Sequence, residues 1–482
     1  MQTKKKYLSI VCIIITLIIG VTLGIWQTKP PRINKSSHIY PAYERMMSNL
    51  QQMAVEPHPS GSAEIEIVRA QILAEIENMG LTPTIQDTVY TLDEVIEKLL
   101  SDGGVSSMEE FWEVYHEVVA EYYDLYSLDE FTEDFLSSMF NEDGNLPLQN
   151  IIVKLDAPDT DRGVLFVAHY DCVPEGPGVA DNMLGVVSVL EAARSQAQNN
   201  ALKNDLYFLL TDGEENGLLG ANKFVEANPD LRDKIDLVIN IDSRGNQGAL
   251  MLYDTSPNAY RLVEAVKKTD AWLYGYSVAS KVQSLMPNDS DLSVFLNEGY
   301  NGLNFAAIEG VKDYHTMEDN YDNLNRATAW HHLQVILSIA DYAANNSLED
   351  LQKPSRDAIF FPFLPGGMML MTDIISHILC AIACAFALII VTLRVRKKKL
   401  KPTLSTILMS LLIPASITCS IFFAAGSYLI YIPLLLIAIT SVIKRWQKVH
   451  IAVKMVAGII VLMLWVPGII TTWWALVAPM ML

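Results

Sequence analysis

Long uncharged apolar runs at both ends of the chain restrict its fold more than any other feature. Residues 7–26 contain no charged residue, and residues 370–482 contain a single acid, Asp373, among recurring apolar runs. An apolar run of about 20 residues matches the thickness of a bilayer. We therefore expect a transmembrane anchor at 7–26 and a C-terminal membrane domain of about four α-helical transmembrane segments at 370–482.

A cleaved signal peptide is the alternative for residues 1–26. Their apolar core is longer than the roughly 7–15 residues usual in signal peptides, and no Ala-x-Ala-like cleavage site follows it. The sequence favours an uncleaved anchor that follows a cytoplasmic tail at 1–6.

Basic clusters indicate the orientation of the chain. Lysines at 4–6 and basic residues at 394–401 and 444–448 flank predicted spans. Because such clusters stay on the cytoplasmic side, the sequence predicts a multi-pass protein of the cell membrane with residues 27–369 outside the cytoplasm.

The external block of residues 27–369 is strongly acidic. The two ends hold 13 of the 35 Lys and Arg residues but one of the 55 Asp and Glu residues, so the block keeps 22 basic and 54 acidic residues. Such a surface repels nucleic acid, which we do not expect as a partner, and attracts cations. Cys172 is the only cysteine of the block, so an intramolecular disulfide is impossible there.

Composition divides the block further. A stalk at 27–44 precedes a domain at 45–350, and a Pro-rich connector at 351–369 follows it. Within the domain, residues 91–145 hold 16 acids and one lysine among spaced aromatic residues, which predicts a helical insertion. The insertion is either a solvated unit packed on the domain or a lid over a cleft.

Apolar runs alternate with helical patterns from residue 150 to residue 346. This alternation predicts an α/β fold with a mostly parallel central sheet and helices on both faces. The apolar runs are 150–155, 163–168, 206–210, 236–241, 249–253 and 302–307, and the helical patterns cover 181–197, 217–227, 258–268 and 323–344.

Residues with metal-binding or acid-base side chains follow these runs or open the helix between two of them. Sites in this fold class lie at the carboxyl ends of the strands, so we expect these side chains to converge on one sheet edge. They are His169, Asp171, Asp181, Glu214, Glu215, Asp242 and His315.

Two imidazoles and several carboxylates form a ligand set that suits Zn²⁺. We predict a site for two zinc ions in which Asp181 bridges both ions. His169 and Asp242 complete the first position, and Glu215 and His315 complete the second. Two zinc ions about 3.5–4 Å apart activate a water molecule for attack on a carbonyl group.

Three more carboxylates have predicted roles beside the metal ligands. Glu214 adjoins a ligand without being one, so we expect it to act as the general base and then to protonate the leaving amine. We expect Asp171 to accept the second imidazole N–H of His169, and Asp319 to act likewise near His315. The remaining candidates His58, His331, His332 and Cys172 are expected to serve packing.

Several motifs together make the chain recognisable. They lie at 57–62, 168–174, 176–178, 181–182, 212–220, 240–245, 290–291 and 314–319. With these motifs the chain resembles the co-catalytic zinc peptidases of metallopeptidase family twenty-eight, which include bacterial aminopeptidases, glutamate carboxypeptidase and membrane metallopeptidases of the vacuole and endoplasmic reticulum. The resemblance covers about residues 45–346 and implies two Zn²⁺ ions per chain, the roles given above and a peptide substrate.

We therefore expect a membrane-anchored zinc exopeptidase, by preference an aminopeptidase, that hydrolyses peptides outside the cytoplasm. Two alternatives stay open: a glutaminyl cyclase-like enzyme with one zinc ion, and an inactive receptor-like binding module. The expected partners are a peptide substrate and the lipid bilayer, and the oligomeric state stays open.

Overall fold

The computed structural model describes residues 21–91, 144–277, 289–364 and 366–378 continuously, with single positions between 11 and 19, between 94 and 98, and at 140, 279 and 280. Nine of the 20 residues of the predicted anchor at 7–26 lie outside these residues, as do most of the acidic insertion at 91–145 and most of the membrane domain at 370–482. Within the part of the chain that is described, no helix is both long and apolar enough to cross a bilayer.

A seven-stranded sheet forms the centre of the molecule, with the strand order β1-β2-β4-β3-β5-β7-β6. The strands are β1 (Thr84–Thr91), β2 (Asn145–Leu155), β3 (Gly163–His169), β4 (Asp205–Thr211), β5 (Ile235–Ile241), β6 (Met251–Thr255) and β7 (Gly302–Ala306).

The sheet is mixed, so the prediction of a mostly parallel sheet holds only for its centre. β4, β3, β5 and β7 pair in parallel, whereas β1 and β2 pair antiparallel to their neighbours on one side and β6 does so on the other. Thr91 at the end of β1 pairs with Asn145 at the start of β2. The two ends of the acidic insertion are therefore adjacent at the edge of the sheet. Because the chain returns to the point at which it left, β1 and β2 run in opposite directions.

Strand β3 shows why the centre of the sheet is covered on both faces. Successive side chains of a strand point to opposite faces. Phe166 packs in the larger apolar core, while its neighbours Leu165 and Val167 pack in a second core. An apolar run without alternation thus forms a strand that is buried on both sides.

Helices supply the other halves of these two cores, as the sequence predicts. The larger core contains residues of α1 (Tyr40–Met53), α2 (Ala63–Asn78), α3 (Leu184–Gln196), α5 (Tyr260–Lys267) and α7 (Arg326–Asn345), and the second contains residues of α4 (Leu219–Ala227) and α6 (Asp291–Asn297).

The segment that the sequence assigns to a connector forms a β-hairpin. β8 (Ala358–Leu364) and β9 (Gly367–Thr372) pair antiparallel. Ile359 and Phe360 are each 1% exposed, and they pack in two different apolar clusters of the domain. The folded unit therefore extends beyond the predicted limit at residue 350, because the apolar residues between the prolines complete its core.

Candidate metal centre

The first half of the site lies at the carboxyl ends of β3 and β5. His169 is the last residue of β3, and Asp242 directly follows β5. The Nε2 atom of His169 lies 3.2 Å from Oδ1 of Asp181 and 3.9 Å from Oδ1 of Asp242. The Nδ1 atom of His169 lies 3.1 Å from the carbonyl oxygen of Asp171. With Nδ1–H donated to that carbonyl, Nε2 presents its lone pair to the two carboxylates.

The second half of the site comes from the loops after β4 and β7. The Nε2 atom of His315 lies 3.2 Å from Oδ2 of Asp181 and 3.2 Å from Oε1 of Glu215. His315 has a φ of +52°, in the left-handed region, and follows the short 3₁₀ turn Val311–Asp313. Asp181 therefore directs one carboxylate oxygen to each imidazole, which is the arrangement that a bridging ligand requires.

The donor atoms converge without satisfying one another. Oδ2 of Asp181, Oε1 of Glu215 and Nε2 of His315 are buried, and none has a hydrogen-bond partner among the described residues. Such atoms are costly to bury unless a cation or water completes them. Two groups of residues each offer three ligand atoms that lie within 4.8 Å of one another. The first group is His169, Asp181 and Asp242, and the second is Asp181, Glu215 and His315. These two groups match the predicted pairing and fit Zn²⁺ chemically.

The conformation around Asp181 is fixed by backbone and side-chain hydrogen bonds. The Asp319 carboxylate accepts hydrogen bonds from the backbone N–H of Ala180 at 2.9 Å and of Asp181 at 3.1 Å. The Asn182 amide donates to the carbonyl oxygen of Ile241 at 2.5 Å, and the Asp181–Asn182 peptide bond is cis. Asp319 thus holds the backbone of the predicted bridging residue, whereas the sequence suggested that it orients His315.

The turn that carries Glu214 and Glu215 begins at Gly213, directly after Asp212. Gly213 has a φ of +77°, which favours glycine. The Asp171 carboxylate accepts the backbone N–H groups of Glu214 and Glu215, each at 3.2 Å. The same carboxylate is 3.5 Å from Nδ1 of His169, farther than the carbonyl oxygen of Asp171 itself. The main contact of the Asp171 side chain is therefore the turn, and not the imidazole as predicted.

Electrostatics in the site favour a bound cation. Burial raises the pKa of Glu214 well above its usual range, and the negative charges of Asp242 and Glu215 add to this effect. Burial opposes the charging of His315, but Glu215 and Asp181 outweigh it and raise the pKa of His315 to about 10. The side chains of Glu215 and His315 remain 10% and 25% exposed. The site is therefore not fully closed to solvent at Glu215 and His315.

Glu214 lies beside both predicted metal positions. Its carboxylate belongs to a third group of ligand atoms, with His169 and Glu215, that also lie within 4.8 Å of one another. This location suits the predicted general base, because a base must reach a water molecule held between the metals.

Two of the other titratable candidates, His331 and Cys172, are held by hydrogen bonds within the core. Nδ1 of His331 accepts the backbone N–H of Leu250 at 2.9 Å, and its Nε2–H donates to the carbonyl oxygen of Trp272 at 2.6 Å. The thiol of Cys172 accepts the backbone N–H of His58 at 3.0 Å, and burial raises its pKa well above the usual range. These contacts agree with the predicted packing roles of His331 and Cys172, whereas Nε2 of His58 and Nδ1 of His332 are buried without a hydrogen-bond partner among the described residues.

Sequence reasoning missed the buried acid Asp291 as a neighbour of the site. Its Oδ2 accepts the hydroxyl of Thr211 at 2.5 Å, and its side chain is 1% exposed. Burial raises the pKa of Asp291 to about 7, with Asp171 and Asp242 adding to the effect. The motif at 290–291 was its only sequence signal.

A comparison with protein-family models identifies the central part of the chain. Residues 150–340 match the family described as Peptidase family M28. The match covers less than half of the 482 residues, so it is this central part of the chain that is similar to the family. All seven predicted site residues fall inside the matched range.

Relatives with curated descriptions point to membrane proteases. Over 220 residues the chain is 30% identical to a vacuolar membrane protease of Candida dubliniensis, a match covering 45% of this chain and 23% of the relative. It is 29% identical over 219 residues to the vacuolar membrane protease of Lachancea thermotolerans, a match covering 45% of this chain and 22% of the relative. It is 28% identical over 233 residues to the vacuolar membrane protease of Saccharomyces cerevisiae strain YJM789, a match covering 47% of this chain and 23% of the relative. The chain thus spans less than a quarter of the length of these relatives.

Solved structures with a similar fold include an aminopeptidase from Aneurinibacillus sp. strain AM-1, with a TM-score of 0.47 and 15% identity over 63% of this chain and 94% of that chain. A glutaminyl cyclase of Porphyromonas gingivalis gives a TM-score of 0.44 and 16% identity, and the match covers 62% of this chain and 97% of that chain. A zinc aminopeptidase of Bacillus subtilis gives a TM-score of 0.43 and 15% identity, and the match covers 64% of this chain and 96% of that chain. Likeness at this level supports no conclusion about function.

Proposed function

We propose that this chain is a zinc-dependent exopeptidase that uses two zinc ions and hydrolyses peptides outside the cytoplasm. The observation that carries the proposal is the geometry of Asp181, whose two carboxylate oxygens each lie 3.2 Å from a different imidazole. The match of residues 150–340 to a peptidase family supports peptide hydrolysis as the reaction. His169 and Asp242 would hold one ion and Glu215 and His315 the other, with Asp181 shared between them.

The chemistry that zinc supplies when bound is a lowered pKa of water and polarisation of the scissile carbonyl. The chain itself contributes the proton transfers. Glu214 accepts the proton of the attacking water and delivers it to the leaving amine. Asp171 keeps the Glu214 side chain at the site through the two N–H groups of the turn.

We favour an aminopeptidase among the exopeptidases because of the charge around the site. Glu214, Asp242 and the nearby Asp291 interact electrostatically in one partly buried region. A carboxylate left over after metal binding attracts the ammonium group at the amino terminus of a peptide. A peptide with a blocked amino terminus lacks this attraction.

We also propose that the peptidase is attached to the membrane. The apolar runs at 7–26 and 370–482 support this, as does the description of the relatives as vacuolar membrane proteases. Ile25 and Trp26, at the end of the predicted anchor, are 42% and 54% exposed, as expected for side chains that face lipid.

The test uses the full chain purified in detergent, with zinc content measured beside activity on free and N-acetylated versions of the same short peptides. We expect cleavage of the first residue from free peptides only, and strongly slowed cleavage by the Glu214→Gln variant at equal zinc content. Cleavage of the acetylated peptides from the carboxyl end would replace the aminopeptidase assignment. Cyclisation of amino-terminal glutamine without hydrolysis would contradict the peptidase proposal.

A further inference from the structure

A layer of buried polar residues lies beneath the turn that carries Glu214 and Glu215. None of these residues is a candidate zinc ligand, and each is at most 4% exposed. We call this layer the Ser60 network; it consists of Ser60, Arg69, Tyr170, Asp171 and Asp212.

Asp212 is the centre of the network. Its Oδ1 accepts the hydroxyl of Ser60 at 2.8 Å. Its Oδ2 accepts Nη2–H of Arg69 at 3.0 Å, the backbone N–H of Gln149 at 3.0 Å and the hydroxyl of Tyr170 at 3.2 Å. Asp212 directly precedes the turn, so these contacts fix the point at which the turn begins.

Ser60 connects Asp212 to the other support of the turn. Its Oγ lies 2.8 Å from Oδ1 of Asp212 and 3.4 Å from Oδ2 of Asp171. Asp171 in turn accepts the N–H groups of Glu214 and Glu215. One hydroxyl therefore lies between two carboxylates that hold the turn at its start and along its length.

Two carboxylates this close repel each other, and Arg69 supplies the compensating charge. Burial raises the pKa of Asp212 to about 6, and the negative charge of Asp171 contributes to this rise. Arg69 is 4% exposed and contacts Asp212, while its Nε–H donates to the Tyr170 hydroxyl at 2.8 Å. The cation and the Ser60 hydroxyl together keep the two acids side by side beneath the turn.

We propose that Ser60 is a positioning residue, which acts through Asp171 on the backbone of the general base and of one metal ligand. The proposal rests on the proposed function. It gives a role to the motif at 57–62 and extends the catalytic unit upstream of the family match, which begins at residue 150.

Ser62 provides a matched control within the same motif. Its hydroxyl accepts the backbone N–H of Ile65 at 3.1 Å and caps α2. Ser62→Ala therefore removes a hydroxyl contact and lowers the melting temperature by roughly 2–4 °C without altering the turn. Ser60→Ala removes the contact between the two acids.

The experiment compares wild type, Ser60→Ala and Ser62→Ala as full chains in detergent, with saturating zinc and an aminoacyl peptide. We expect Ser60→Ala to lower kcat about tenfold with KM within about twofold, because the loss lies in orienting the turn. Ser62→Ala should keep the wild-type kcat. In an Asp171→Asn background, Ser60→Ala should have little further effect, since both changes release the same support.

A second readout does not depend on activity. The visible absorption of Co²⁺ bound in place of zinc reports ligand geometry, so it should change in Ser60→Ala and stay unchanged in Ser62→Ala. Equal kcat in both serine variants, or effects of Ser60→Ala and Asp171→Asn that simply multiply, would overturn the proposal. A wild-type chain that binds Co²⁺ but cleaves no peptide would contradict the proposed function, while the spectra alone would decide on Ser60.

Discussion

Asp171→Asn should slow peptide hydrolysis strongly while leaving both zinc positions filled. In the structure Oδ1 of Asp171 accepts the N–H of Glu214 and Oδ2 accepts that of Glu215, each at 3.2 Å. An asparagine offers only one acceptor oxygen, so one of these N–H groups must face an NH₂ group. A hydrogen bond to a charged group contributes about 1.5–3 kcal/mol. At about 1.4 kcal/mol per tenfold, loss of one such bond in the transition state lowers kcat roughly 10- to 150-fold.

Asp205→Asn is the control for the general effect of changing a buried aspartate. Asp205 is 1% exposed and accepts the backbone N–H of Ala157 at 2.7 Å, but it lies at the start of β4 and the turn follows the other end of that strand. Both variants should lose stability, measured by thermal unfolding, and only Asp171→Asn should lose kcat on aminoacyl substrates. A wild-type kcat in Asp171→Asn would refute the reasoning that this carboxylate positions the general base.

Three further predictions follow from the same contacts. Glu214→Gln should keep both zinc ions and lower kcat by about 10²–10⁴ or more, because it removes only the proton carrier; loss of zinc in this variant would instead make Glu214 a ligand. Glu215→Ala and His315→Ala should empty the same zinc position, and different positions in a metal titration would contradict the pairing. Burial lowers the pKa of His331 to about 4, below an unfolded value near 6.5, so its contribution to stability is complete above pH 6.5 and is lost as the pH falls toward 4. The free energy of unfolding of His331→Gln, measured with denaturant at several pH values, should fall by about 3 kcal/mol less than that of the wild type over this pH range. Identical pH profiles of the two proteins would contradict this prediction.

The sequence was most informative at the ends of the central strands. His169 and Asp242 directly follow apolar runs, and the structure places both at the carboxyl edge of the sheet. Their convergence was predictable because parallel strands end at the same edge. Helical periodicity also predicted α7 (Arg326–Asn345) to within a few residues of its bounds.

Elements without a strong apolar pattern were harder to predict. None of the residues of β1 (Thr84–Thr91) is fully buried, and the pairing of β1 with β2 spans the whole insertion, so no local pattern indicates this strand. The β8–β9 hairpin contains Pro362 between apolar residues, a composition typical of a connector until its partner strand is known.

The roles of supporting side chains could not be predicted from spacing. Asp171 lies two residues after His169 and Asp319 lies four residues after His315, and this proximity suggests contacts with the imidazoles. In the structure both carboxylates bind backbone N–H groups of neighbouring segments instead. Such contacts depend on how loops from distant parts of the chain meet.

The central claim is that Asp181 is shared by two zinc ions, and counting zinc per chain tests it most directly. The wild-type chain should hold about two zinc ions, Asp242→Ala and Glu215→Ala about one each, and Asp181→Ala fewer than one, because its two oxygens face both imidazoles. A wild-type chain with one zinc ion, or an Asp181→Ala variant that keeps two, would contradict the account.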